Sequence, residues 1–170
     1  ILFALFRVGS NSITMSYFNV RVYGIMINED QQVLVSDEYN RGNYFTKFPG
    51  GGLEFGEGLL ECIRREWKEE LNQEIEVIKH LYTTDFFQIS AFDNHSQIIS
   101  VYYVVKPISP CSFPVIIDPF DFEVPEGITQ IEAARWISWD DFSEKCVTLP
   151  IDKVVARIMK EQGVEALLKK

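Results

Sequence analysis

Between Gly51 and Gln73 the chain reads GGLEFGEGLLECIRREWKEELNQ, a glycine turn running into a helical pattern that sets Arg65, Glu66, Glu69 and Glu70 within six residues. At 100° per residue, Leu59, Leu60, Cys62, Ile63, Trp67 and Leu71 fill one broad arc, the stripe that a helix turns towards a core. Glu66 and Glu70 project into the edge of that arc, with Glu69 just outside it. Like charges at i, i+4 repel by roughly 0.2–0.5 kcal/mol even on an exposed helix, and more where water is partly excluded. A positive charge is therefore expected among them. The plainer alternative is a solvated acidic face in which Glu61, Arg65 and Glu69 pair at i, i+4.

The spacing extends well beyond the pair of glutamates. From Gly51 it runs glycine, five residues, Glu57, seven residues, then Arg65, Glu66, Trp67, one residue, Glu69 and Glu70. At ordinary residue frequencies, six such positions would coincide in a chain of this length on the order of once in 10⁵. The stretch resembles the signature of the Nudix hydrolases, including MutT-like members. That signature continues with a glycine and an aliphatic residue, where this chain has Asn72 and Gln73. Asn is the best substitute for glycine in a left-handed helix cap, and Ile75 is expected to take up what Gln73 does not supply.

The resemblance implies an α/β/α sandwich with a mixed β-sheet, and a role for each matching residue. Glu66, Glu69 and Glu70 would be metal ligands, and Glu66 would also orient or deprotonate the attacking water. Arg65 would fix Glu66, and Glu57 would pair with Arg65. Gly50, Gly51 and Gly52 would let the backbone approach metal and phosphate closely, Gly51 being the glycine placed at the metal. All-oxygen donors suit Mg²⁺, with Mn²⁺ as the alternative. The implied reaction is attack of water on one phosphorus of a pyrophosphate linkage. The implied substrate is a nucleoside diphosphate linked to another group, such as a nucleotide sugar, ADP-ribose or a nucleoside triphosphate. The alternative is a module that keeps the fold and binds a nucleotide without turnover.

The remaining chain reads as one domain over 15–170, with Met15 as a start and residues 1–14 as an extension outside it. Tyr17 to Ile27 and Val33 to Ser36 read as a strand pair around the polar turn at 28–32, and a short strand near Tyr44 to Phe48 leads into the glycines. Strands are expected near Ile75–His80, Thr83–Ala91 and Gln97–Lys106, the last two joined by the turn Asp93–Ser96. Five prolines between Pro107 and Glu126 indicate a long irregular loop. Ala133–Ile137 reads as a final strand, Ser138 with Asp141 as a helix start, and Ile151 onward as an amphipathic helix through Leu167.

A net charge of −9 argues against a broad nucleic-acid or anionic-membrane interface. It leaves a small nucleotide as the expected partner, with a homodimer as the assembly to test. Cys62, Cys111 and Cys146 are odd in number and lack CxxC spacing, which favours a reducing compartment, the cytoplasm. Arg41 and Lys47 stand close enough to the glycine turn to reach a phosphate, or are solvated charges. Phe48, Tyr44, Phe86 and Phe87 either stack on a base or belong to the core. One of Asp121, Glu123, Glu126 and Glu132 would supply a further carboxylate, and no motif selects it.

Overall fold

The computed structural model describes residues 16–169; the extension expected over residues 1–14 lies outside them. Eight strands form two four-stranded sheets. In chain order they are β1 (Tyr17–Ile25), β2 (Gln32–Asn40), β3 (Asn43–Lys47), β4 (Gly50–Gly52), β5 (Ile75–Thr83), β6 (Ser96–Pro107), β7 (Val115–Ile116) and β8 (Gln130–Ser138). One sheet has the order β4-β1-β6-β5 and the other β3-β2-β8-β7. Parallel pairing of β1 with β6 and of β7 with β8 makes both sheets mixed.

Helix α1 (Leu59–Leu71) follows β4, while α2 (Pro150–Gln162) and the short α3 (Val164–Leu168) close the chain. The stripe of α1 buries Cys62, Ile63 and Trp67 with Val22 and Val105 of the first sheet, Met26 just after β1, and Leu34 and Ala134 of the second. On the other side Val155, Ala156 and Met159 of α2 join Tyr23, Ile25, Val33, Val35, Tyr102 and Val104. The two helices thus cover opposite sides of the strands, giving the α/β/α sandwich. Asn72 ends α1 in the left-handed conformation (φ 49°, ψ 32°), as its replacement of glycine anticipates. Gln73 is buried but satisfied, because its amide donates to the carbonyls of Glu74 (3.0 Å) and Ser109 (3.1 Å). Ile75 is buried beside it in sequence, as expected.

Several elements depart from the sequence reading. The expected pair of β1 and β2 is split between the sheets, joined only by a bridge from Ile27 to Val33. The reason is that β1 is paired along its length to β6 and also holds β4. Thr83–Ala91 is not a continuous strand: Thr83 ends β5, and the rest is irregular but still runs along β6, with Ile89 bridged to Gln97 and the backbone N–H groups of Thr84 and Ser90 donating to Ser100 and Ser96. The Asp93 carboxylate accepts the backbone N–H of His95 and Ser96 at 2.8 and 2.7 Å and forms the expected turn. Ser138 caps only a turn through Asp141, and a 3₁₀ turn at Glu144–Cys146 stands where a helix was expected. The last helix breaks at Gly163, φ 78°.

The proline-rich loop is irregular apart from β7, and a buried ion pair ties it down. Arg135 donates to Asp37 at 2.6 and 3.1 Å, Thr46 donates to the same carboxylate at 2.6 Å, and the backbone N–H of Phe120 reaches it at 3.4 Å. All three cysteines are free thiols. No helix among the described residues is long and apolar enough to cross a membrane.

Candidate active site

A cavity of about 380 Å³ opens between the sheets. Gly51, Gly52, Glu66 and Glu70 form one side, Glu38 and Lys47 another, and Arg21, Tyr23, Tyr102 and Asp152 a third. Phe45, Phe92, Asn40 and Gln88 are among the other residues that line it.

The α1 side is organised by Arg65. Its guanidinium grips Glu57 with two hydrogen bonds, of 3.0 and 2.7 Å, the fork geometry that favours arginine over lysine. The same side chain donates to Glu66 at 2.9 Å, Glu69 at 3.1 Å and the carbonyl of Gly52 at 3.1 Å. These contacts hold the Glu57 carboxyl down at about 2, with the Arg65 hydrogen bond the largest cause. Glu57 also raises the pKa of Arg65, which stays charged. The expected chain from Glu57 through Arg65 to Glu66 is thus present in the geometry.

Gly51 decides where Glu66 can sit. A Cβ at position 51 would come within 2.3–2.5 Å of all three atoms of the Glu66 carboxylate. The carboxylate therefore occupies the space that glycine leaves. Glu70, one turn on, accepts the backbone N–H of Gly50 at 3.3 Å and lies 3.8 Å from Lys47. Burial pushes the Glu70 carboxyl up to about 8; Lys47 opposes this, while Glu132 and Glu66 add to it. Glu69 is the most exposed of the three.

Among the described residues, no three of these acidic side chains converge closely enough to hold a cation as they stand. Their oxygens are tied to Arg65 and Lys47. The donor set nevertheless fits a divalent ion. It is hard and all-oxygen, its carboxylates crowd one glycine turn, and the weakly held Glu70 bears the repulsion that a cation would remove.

A family model described as a NUDIX domain matches residues 18–158. The chain belongs to the NUDIX family. It is similar to Nudix hydrolase 2 of Arabidopsis thaliana, at 28% identity over 127 residues covering 72% of this chain and 40% of that protein. The aligned part thus spans less than half of that relative. Two solved structures share the fold at low identity. A NUDIX hydrolase of Nitrosomonas europaea has 22% identity and a TM-score of 0.59, covering 84% of this chain and 88% of its own. The ORF135 protein of E. coli has 15% identity and a TM-score of 0.63, covering 90% and 95%.

Within this NUDIX fold, the residues expected at the substrate separate sharply. Lys47 lines the cavity, but its ammonium is committed to Glu38, Glu132 and Glu70 and is no solvated surface charge. Phe48, expected as a stacking surface, is a correction: it is fully buried against Tyr102 and Phe142, so no base can reach it. Its neighbour Phe45 lines the cavity instead, with its ring 5.5 Å from that of Phe92. Arg41 sits in the exposed turn between β2 and β3, where its backbone N–H donates to Thr129, and borders a separate polar depression. Tyr44 packs on Phe120 and Phe122, away from the cavity, and neither Phe86 nor Phe87 lines it.

Of the four later acids, Glu132 alone is brought to the cluster, 3.2 Å from Lys47. Arg21, Glu38 and Asp152 were missed. Each is a single residue on a strand or in a first helical turn, where a polar side chain carries no distinguishing signal. Asp152 is buried, takes the hydroxyl of Tyr102 at 2.5 Å on Oδ1, and has no hydrogen-bond partner for Oδ2. Burial is the main cause that pushes its carboxyl up to about 7.

Proposed function

We propose that the chain is a divalent-cation-dependent pyrophosphohydrolase, acting on a nucleoside diphosphate linked to another group: a nucleotide sugar, ADP-ribose or a nucleoside triphosphate. The observation that carries this reading is the shared cavity. Glu66, held by Arg65 in the slot at Gly51, lines the same space as Phe45, Phe92 and Asp152.

In this reading Glu66, Glu69 and Glu70 hold Mg²⁺ or Mn²⁺, which when bound neutralises charge developing on the phosphates. Glu66 also orients the attacking water and accepts its proton. The new bond forms between the water oxygen and one phosphorus. The bond from that phosphorus to the bridging oxygen breaks, and the bridging oxygen leaves on the other phosphate. Arg65 holds Glu66 in place. The far end of the cavity receives the nucleoside. Phe45 and Phe92 offer apolar faces to its base.

The test is chromatographic product analysis after incubation with Mg²⁺ and a panel of nucleoside triphosphates, nucleotide sugars, ADP-ribose, dinucleoside polyphosphates and NADH. Release of a nucleoside monophosphate from one class is the expected result. Silence across the panel, with measurable nucleotide binding, would favour a module that senses nucleotide without turnover.

Asp152 also predicts how stability depends on pH. Its pKa in the folded chain, about 7, lies above the ordinary 3.8, so the folded state holds the proton more tightly than the unfolded one. That contribution is complete below about pH 4 and is lost as pH rises towards 7. Asp152→Asn removes the loss. The melting temperature of the variant minus that of the unmodified protein should become more positive between pH 4.5 and 8, by a few kcal/mol in stability and several degrees in Tm. A constant difference across that range would contradict the assignment.

A further inference from the structure

Lys47 is an unusual residue to find at the centre of an acidic site. Its side chain is 4% exposed, and its ammonium lies 3.2 Å from Glu38, 3.2 Å from Glu132 and 3.8 Å from Glu70. It also donates to the carbonyl of Gly50 at 3.3 Å. The surrounding oxygens come from β2, β8, α1 and the glycine turn. They form an all-oxygen set of the kind that suits a hard divalent ion, here built around a single fixed positive charge.

The three carboxylates are not held equally. Glu38 also accepts from the amides of Asn40 at 3.2 Å and Gln130 at 3.3 Å, and Glu132 accepts the hydroxyl of Ser36. Lys47 and these neutral donors commit both acids to the protein. Glu70 has only the long contacts to Lys47 and Gly50. The acidic cluster is therefore divided into an inner pair bridged by Lys47 and an outer arc of Glu66, Glu69 and Glu70, of which Glu70 is the loosest.

We infer that Lys47 is a built-in counter-cation that closes the Glu38 and Glu132 pair to divalent ions and so limits how many the site takes up. This rests on the metal-dependent reading above. Lys47 is in this sense a positioning residue, acting through the carboxylates. Removing it leaves Glu38, Glu132 and Glu70 together without a positive charge between them, a repulsion that a bound cation would relieve.

The experiment uses the whole chain and Mn²⁺ as the probe, with stoichiometry read by isothermal titration and by the loss of the free-ion paramagnetic signal. In cation-free buffer Lys47→Met should melt roughly 10 °C below the unmodified protein. It should bind one more Mn²⁺ per chain and recover most of the lost Tm on doing so. Lys47→Met combined with Glu132→Gln relieves the repulsion, so it should melt higher without cation and return to the original Mn²⁺ count. A purely packing role would lower Tm without changing that count. An unchanged count in Lys47→Met, whether refolded with Mn²⁺ or stable without it, would overturn the inference. If the unmodified protein binds no Mn²⁺ while Lys47→Met binds one, the metal-dependent function falls and the counter-cation role stands.

Discussion

Glu66→Gln should lower kcat by at least ~10³-fold while leaving the folded protein intact. In the proposed reading its carboxylate accepts the proton of water, an effect of about 10²–10⁴ by itself, and holds the cation as well. The amide is nearly isosteric and can still accept from Arg65 through its carbonyl, so the grip of Arg65 on Glu57 and Gly52 is kept. Loss of one negative charge next to Glu70 also removes repulsion. Tm without cation should therefore stay level or rise by a degree or two. The checks are steady-state kinetics at saturating Mg²⁺ and a thermal melt. A kcat within tenfold of the unmodified value would remove Glu66 from the chemistry. A collapse of Tm would mean that its role is structural.

The second large effect separates three adjacent glycines. At Gly50, with φ at +135°, a Cβ would come within 2.2 Å of the Val22 carbonyl oxygen and 2.9 Å of the Tyr23 Cα. Both belong to the backbone of β1, which cannot move without disturbing its pairing with β4 and β6. Gly50→Ala should therefore cost on the order of 3 kcal/mol, about 6–12 °C in Tm for a chain of this size. At Gly51 the obstructing atoms are the end of the Glu66 side chain, which can turn away. Gly51→Ala should keep most of the stability and lose most of the activity. At Gly52 the nearest atom is 3.9 Å away, on Arg21, so alanine should be tolerated in both respects. Melts and kinetics of the three variants check the series; equal losses of stability at all three would show that the glycines serve only the pairing of β4 with β1.

The α1 side of the site is legible in sequence because it is local. A 3.6-residue apolar stripe, a glycine turn and the Glu57 to Arg65 spacing lie within a few turns of chain, and Arg65 can reach each partner without help from distant strands. The split of β1 from β2 is not legible, since the turn between them reads as a hairpin whatever β6, some eighty residues away, does with β1. The fate of Lys47 and Phe48 shows the same limit on a smaller scale. They are neighbours in one short segment, yet one lines the cavity and the other fills the core. The cavity draws its remaining residues from Asn19 to Asp152, and each alone is an ordinary residue of a strand, loop or helix. Gln73 illustrates the reverse case. It breaks the family pattern in sequence, and the amide finds its reason in the carbonyl of Ser109, supplied by the proline-rich loop.

The most direct measurement on the central claim is the substrate panel run in ¹⁸O-labelled water with Mg²⁺, followed by mass analysis of the products. The account predicts one labelled oxygen per turnover, on the phosphate attacked, with a nucleoside monophosphate among the products. Turnover should vanish when the cation is chelated and in Glu66→Gln. Products without label, or turnover that survives chelation, would contradict it.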